Sequence, residues 1–373
     1  MSPDKHPTRG GSNPGGYDLP HSPGGYELSQ SKDPVLKLHI RNSRVITVGP
    51  PPAVTPPASY GGYPVDFTSI QDAMNAVPLI DPEGDFVDRW TILVTTGYYE
   101  EEIRCKPHVN IVGINKESVY IQPPPGRPRD RDDPRLANVY LSSLSLLSNV
   151  TLANRQDSEP GDVVVWGFDT FQGMGGDVHD LGLWNVDLLP FSPYPDNPNS
   201  VDGYSKGGLI RLEGNWHTAI FRDVGGNYIA PDRYGITLVG TAKDQNADCH
   251  FTNCFFDALY LTDTSADCGC LLVQDCFEVH VRNSFLRINK IPAFGEPQAM
   301  VPAPGSAVAT RSTRDSLTNV FVEGSSLECN DPAAERVLDV GSGTFCFFKH
   351  SSSDSRTGDG VFISSGRDGI GTG

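Results

Sequence analysis

Apolar positions along this chain change period, and the changes mark its elements. Over residues 67–77 they recur at helical spacing, so Phe67, Ile70, Ala73, Met74 and Val77 share one face of a predicted helix. Thr68 and Gln71 have the spacing of a capping box, and Pro78 marks the stop. From Trp90 the period becomes two, which predicts strands at 90–95, 102–104, 109–113 and 119–121, with a turn over 96–100. Two earlier alternating runs, 35–40 and 45–48, flank residues 41–44 and predict a hairpin. A Pro-rich linker, 49–57, leads from it into the helix.

Beyond residue 111 a weak repeat appears: apolar, any, apolar, any, then a small polar residue or glycine. It ends successively at Asn115, Asn149, Asn185, Asp223, Asn253, Asn283, Gly324 and His350, at intervals of 34, 36, 38, 30, 30, 41 and 26 residues. Each unit reads as a short strand ending in a corner, where Asn or Gly accepts a left-handed backbone. A sandwich would space its strands more closely, at about 8–12 residues. The spacing predicts a parallel solenoid, one unit per coil, with the corner residues stacked. The longer coils carry polar or Pro-rich insertions at 122–138, 154–161, 190–208 and 289–306, each starting five to seven residues past its Asn. Insertions leaving equivalent places on stacked coils line one groove, where binding usually resides.

The stretches FTSIQDAMNAVP, ILVTTGYYEEEI and VNIVGI…VYI resemble the opening of pectinesterase-like chains of the pectin-lyase superfamily. The resemblance covers about the first third of the chain. It implies a right-handed parallel β-helix whose end is plugged by a short helix, and a catalytic pair of carboxylates on neighbouring coils with an Arg and Gln side chains. The family motifs Gln-Ala-Val, Gln-Asp-Thr-Leu, Asp-Phe-Ile-Phe-Gly and Gly-Arg-Pro-Trp do not occur here; Leu261-Thr-Asp263-Thr is the nearest fragment. The expected class is therefore all-β, a right-handed parallel β-helix over 63–373. It follows an extended arm at 1–34 and the hairpin and linker at 35–62.

Composition narrows the partners. With 39 Gly, 31 Pro and 4 Met the chain is turn-rich rather than helical, and a formal charge of −17 argues against nucleic acid. No run has the apolar length of a membrane span, and the first thirty residues lack the apolar core of a secretory leader. Five of the eight cysteines fall within 249–276, but Cys268-Gly-Cys270 lacks the ligand spacing of a zinc site. The expectation is reduced, buried thiols, with no metal and no cofactor. Asp257, Asp263, Asp267 and Asp275 follow no calcium-loop pattern.

Four residues past the repeat corner lie Asn227, Asp257, Arg287, Glu328 and Asp354. Stacked on consecutive coils they form an acid–base–acid ladder facing outward. As structure this is an exposed ion-pair ladder, the reading preferred here. As function, Asp257, Arg287, Glu328 and Asp263 are the candidates for binding or hydrolysing sugar. The arm carries a tandem unit, Pro14-Gly-Gly-Tyr17-Asp18-Leu19 and Pro23-Gly-Gly-Tyr26-Glu27-Leu28. Such a segment cannot fold alone, and Tyr17, Leu19, Tyr26 and Leu28 are the expected contacts to a partner. Together these features favour a non-catalytic structural or attachment component of a phage virion (fibre, tailspike or decoration protein), assembled through the arm and homo-oligomeric. The alternatives are a diverged polysaccharide-active enzyme with substrate in the groove, and an enzyme of small metabolites. The latter two imply a cytoplasmic chain, or an extracellular one exported without a standard leader.

Overall fold

The computed structural model describes residues 27–28, 38–39, 44–50, 65–78, 89–128, 136–154, 162–168, 181–189, 208–214, 216, 218–229, 234–240, 248–260, 269–290, 306–312, 318–329, 338–341, 344–349, 352–355 and 370–372. Residues 1–44 and 45–373 are separate units. In the first, Glu27–Leu28 pairs antiparallel with Leu38–His39. Among the described residues the predicted hairpin pairing is absent: Val45–Val48 pairs in parallel with Trp90–Val94 and is the first rung of the second unit. Its alternation matches the inward pattern of the strand beside it, and that match outweighs proximity in sequence.

The second unit is a parallel β-helix with three strand stacks. One is an eight-stranded parallel sheet running in chain order from Ile103–Arg104 to Leu338–Val340. The second stack includes Val109–Gly113, Asp248–Thr252, Glu278–Arg282 and Thr318–Glu323; the third includes Val119–Gln122, Phe255–Tyr260, Phe285–Lys290 and Ser326–Cys329. In Leu146–Ala153, Leu181–Leu189 and Thr218–Ile229 one bent strand serves both stacks. Alternate residues point inward, and the register stacks like on like: Ile46, Ile92, Ile111, Leu147, Leu183, Phe221, Phe251, Val281 and Val322 form one inner row. Phe221 and Phe251 stack at 4.9 Å between centroids. Each such side chain contributes about 1.5–3 kcal/mol of apolar burial.

The helix is Ile70–Ala76, shorter than the 67–77 pattern, because Phe67 is held in a bridge to Val48. It packs on the first rungs of two stacks, Val45–Val48 and Ile103–Arg104, and so covers the open end of the core with Ile70, Ala73 and Met74. The predicted capping box is displaced. Ser69 is the N-cap, accepting from Asp72 N at 3.1 Å, while the Glu101 carboxylate takes Ile70 N at 2.9 Å and Gln71 N at 2.8 Å. Gln71 turns instead to accept from Arg104 N at 2.7 Å. At the far end Lys106 Nζ donates to the carbonyls of Asn75 and Val77.

The corner between second and third stacks is where the sequence repeat ends. Asn149, Asn185, Asp223, Asn253, Asn283 and Gly324 all sit there with φ between +48° and +58°. The amides bond along the stack: Asn185 Nδ2 donates to Asn149 Oδ1 at 2.8 Å, and Asn253 Nδ2 to Asp223 Oδ1 at 3.1 Å. Asn115 does not belong to this row. Its side chain closes a local turn onto Glu117 N, because the corner in that coil is five residues long, and Gly113 stacks under Asn149 instead. His350 lies outside the described residues.

Inside the amide row runs a second one. Cys254 N donates to Ser284 Oγ at 3.0 Å and Ser284 N to Ser325 Oγ at 3.1 Å. The Cys254 thiol, like the Ser284 and Ser325 hydroxyls, donates to the carbonyl two residues before it. The six described cysteine side chains, Cys105, Cys249, Cys254, Cys270, Cys276 and Cys346, are free thiols. Burial pushes Cys276 and Cys346 up to about 12. Those of Cys268 and Cys329 lie outside the described set.

Candidate functional site

The register brings the expected ladder together. Asn227 pairs with Asp257, Asp257 with Arg287, Arg287 with Glu328 and Glu328 with Asp354, on five consecutive rungs of the third stack. Its environment differs from the exposed ladder expected. Asp257 is only 5% exposed. Arg287 Nη2 donates to Asp257 Oδ2. The same guanidinium lies 5.8 Å from the Phe255 ring centroid and 5.3 Å from that of Phe285, which stack on each other in the adjacent outward row. That hydrogen bond to Asp257 holds the Arg287 guanidinium above its ordinary range, with the charge of Glu328 adding to it. Glu328 accepts from Ser326 Oγ at 3.4 Å. Among the described members of the ladder only Asp257 is buried, where the Arg287 guanidinium pairs with it; Arg287 and Glu328 are half-buried and Asn227 is exposed. The pair fixes the Asp257 carboxylate against the Arg287 guanidinium on the next rung.

Asp263, Tyr17, Leu19 and Tyr26 lie outside the described residues; Leu28 falls in the short Glu27–Leu28 strand. Among the described residues no three His, Cys, Asp or Glu side chains converge as a metal cage. The insertions 122–138, 154–161, 190–208 and 289–306 all leave the ends of third-stack strands, at Gln122, Ala153, Leu189 and Lys290. The strands before them thus end in the same stack, and most of the residues of the insertions lie outside the described set.

A different feature occupies the outer face of the second stack. Ile220, His250, His280, Phe321 and Phe347 stand on successive rungs in one outward row. Their rings stack at 4.8 Å from His250 to His280, 4.8 Å on to Phe321 and 4.9 Å to Phe347. Burial lowers the His250 pKa, and the neighbouring His280 and Arg282 lower it further. The ends of the row are open, with Ile220 45% and Phe347 40% exposed. At the Ile220 end the row runs into a depression of about 310 Å³, lined among others by Arg89, Asn110, Gly182, Trp184 and Arg222. Gly182 takes the row's place on that rung, so no side chain fills the floor. Trp184 is 48% exposed, its indole N–H donates to Asp223 Oδ2 at 3.2 Å, and the Arg222 guanidinium sits 5.5 Å from its ring. No acidic side chain lines the depression among the described residues.

Sequence reasoning passed over this face although its signal was there. The two variable slots of the repeat are its outward rows. The first holds Gly182, Ile220, His250, His280, Phe321 and Phe347, so the recurring rings were legible as one outward row.

Three parallel stacks, a helix over one end and a stacked-amide corner define the architecture well enough for comparison. A pectin methylesterase from carrot superposes over 88% of this chain and 88% of its own, with a TM-score of 0.52 at 13% identity. The fold is the pectin lyase-like right-handed β-helix. Pectin methylesterase PemA from Erwinia chrysanthemi aligns over 86% of this chain and 92% of its own, at 10% identity and TM-score 0.45. The enzyme from Aspergillus niger aligns over 87% and 91%, at 14% identity and TM-score 0.42. No family model and no curated sequence matches this β-helix. At these identities the likeness carries fold and not activity.

Proposed function

We propose that this β-helix is a non-catalytic structural or attachment component of a larger particle, a phage virion fibre, tailspike or decoration protein. The observation that supports this reading most directly is the contrast between its two outward constellations. The acid–base ladder is closed on itself by the Asp257–Arg287 pair, whereas the second-stack face offers an open row of stacked rings. A surface of that kind is built for contact and not for proton transfer. The tandem Tyr-acid-Leu arm supplies the complementary half, an attachment segment on the same chain. The test is incorporation: a chain carrying Tyr17→Ala and Tyr26→Ala, shown to be folded by circular dichroism, should fail to enter particles that take up the unaltered chain. Normal uptake would overturn the reading.

A second reading, a diverged polysaccharide-active enzyme, is favoured by the four insertions that leave the ends of third-stack strands. It requires release of methanol or reducing ends from acidic polysaccharides, and loss of that activity in Asp257→Asn. A purified chain inactive on a panel of such polymers rules it out for them.

A further inference from the structure

We propose that the outer face of the second stack, from the Trp184 depression along the ring row to Phe347, receives the tandem Tyr-acid-Leu arm of a neighbouring copy of this chain. The proposal rests on the assembly reading above and names the surface where the arm lands. Three observations carry it. The chemistry of donor and acceptor matches. Each arm unit offers an aromatic ring, a carboxylate and a leucine in succession, at Tyr17-Asp18-Leu19 and Tyr26-Glu27-Leu28. The depression offers an exposed indole, Ile220 and two arginines with no lining acid, in a chain whose formal charge is −17. A local basic, apolar site in an acidic molecule selects an acidic, aromatic segment over either feature alone.

The lengths also match. The two tyrosines are nine residues apart in sequence, a reach of at most about 30 Å. From Gly182 the outward row passes Ile220, His250, His280 and Phe321 to Phe347, five rung steps or about 24 Å at roughly 4.8 Å each. One tyrosine seated beside Trp184 therefore leaves the other within reach of the Phe321–Phe347 end. Basic residues also flank the ring row, on alternate rungs of the row Arg222, Thr252, Arg282, Glu323 and Lys349. Arg222 flanks the row at the first end, and Arg282 and Lys349 stand in the same flanking row toward the second. Arg282 also serves Glu323 at 2.9 Å and Arg222 serves Asp223 at 3.4 Å, so each arm carboxylate adds to a basic group that is already oriented.

The test uses the full chain with Tyr17→Ala and Tyr26→Ala, so that its own arm does not compete, and a fluorescent peptide of residues 14–28. Anisotropy should show saturable binding. Adding Arg89→Glu with Arg222→Glu, or Trp184→Ala alone, should weaken it at least tenfold, as should a peptide carrying Asp18→Asn and Glu27→Gln. Circular dichroism and melting confirm that these exposed substitutions leave the β-helix folded. Sedimentation of the otherwise unaltered chain should show association that the Arg89→Glu/Arg222→Glu chain loses, settling at its 40.4 kDa monomer. No binding, binding indifferent to the face substitutions, or a wild-type monomer whose face is covered by its own arm overturns the proposal. If arm substitutions abolish assembly while face substitutions do nothing, the landing site is wrong and the arm reading survives. If face substitutions abolish peptide binding and association but particles still take up the Tyr17→Ala/Tyr26→Ala chain, the assembly reading is what fails, and the contact between copies stands.

Discussion

Two of the corners in this solenoid's three-stranded coils solve the same backbone problem in different ways. Between the second and third stacks, Asn149, Asn185, Asp223, Asn253, Asn283 and Gly324 take the left-handed conformation. Between the eight-stranded sheet and the second stack, His108, Leu144, Gly214 and Asp275 do so. At the first corner the connection is two residues long in the later coils, at 253–254, 283–284 and 324–325. At the second it runs to four residues at 105–108, five at 141–145 and three at 275–277. A fixed length keeps side chains in register, so an amide on one rung meets an amide on the next. A varying length breaks that register, and no residue type recurs. Stacked corner chemistry therefore depends on equal corner length.

The largest expected effect comes where the first corner admits no side chain. A Cβ on Gly113 would lie 2.1 Å from the Asn149 carbonyl oxygen, which backbone cannot yield. Gly113→Ala should cost about 3 kcal/mol or more and lower the melting temperature sharply. A wild-type melt for this variant would show that the coils slide freely, contrary to a register fixed at this corner. Next is Asn185→Ala, which loses both the bond to Asn149 and the amide's tolerance of φ +53°. It should cost about 2 kcal/mol, while Asn185→Gly, which keeps the backbone freedom, should cost about half as much. Equal losses in denaturant titrations of the two variants would mean that the ladder bond alone matters.

The same contrast explains how much of the molecule was legible in the sequence. The repeat identified the first corner because Asn, Asp or Gly must recur where the connection length is fixed. Among the described residues it misplaced only Asn115, where the corner is longer. The Asn227–Asp257–Arg287–Glu328–Asp354 register followed from counting onward from those corners, so it too was readable. The burial of Asp257 was not, because it depends on how the Arg287 side chain folds onto it and not on the count along the chain. The helix was visible and its cap was not, since Glu101 approaches from another coil. The hairpin failed because parallel pairing joins strands distant in sequence, here Val45–Val48 and Trp90–Val94. The ring row was written in the repeat's variable slots and needed only to be read as an outward surface.

Cysteines that follow a left-handed residue at each corner sharpen the comparison in a pH titration. Cys254 follows Asn253, and burial raises it to about 11; Cys276 follows Asp275, and burial raises it to about 12. In the unfolded chain both thiols ionise near their ordinary value, so the stability they contribute is present below pH 9 and is lost as pH rises above it. Each should cost about 1.4 kcal/mol per pH unit above 9 until its own folded pKa is reached. Chemical denaturation at pH 8 and pH 10 measures the loss. Cys276→Ser should flatten the slope, and an unchanged slope in that variant would mean that its thiol is accessible to water in the folded chain.

The smallest expected effect has the opposite sign, and it comes from the second corner. Leu144 is held at φ +52°, where a branched apolar side chain crowds the following carbonyl. It is not fully buried, so its apolar contacts are partial. Asparagine tolerates the same backbone because its short amide bonds locally. Leu144→Asn should therefore relieve about 1 kcal/mol of backbone cost and return part of that in lost apolar contact, leaving a net gain of about 0.5 kcal/mol. A gain would show that the second corner was left without an amide for want of a fixed register and not because an amide is unfavourable there. A loss of 1 kcal/mol or more in a denaturant titration would mean that Leu144 is retained for its contact beside the depression it lines. The two corners would then differ in what their side chains are required to touch, and connection length would be a consequence of that requirement.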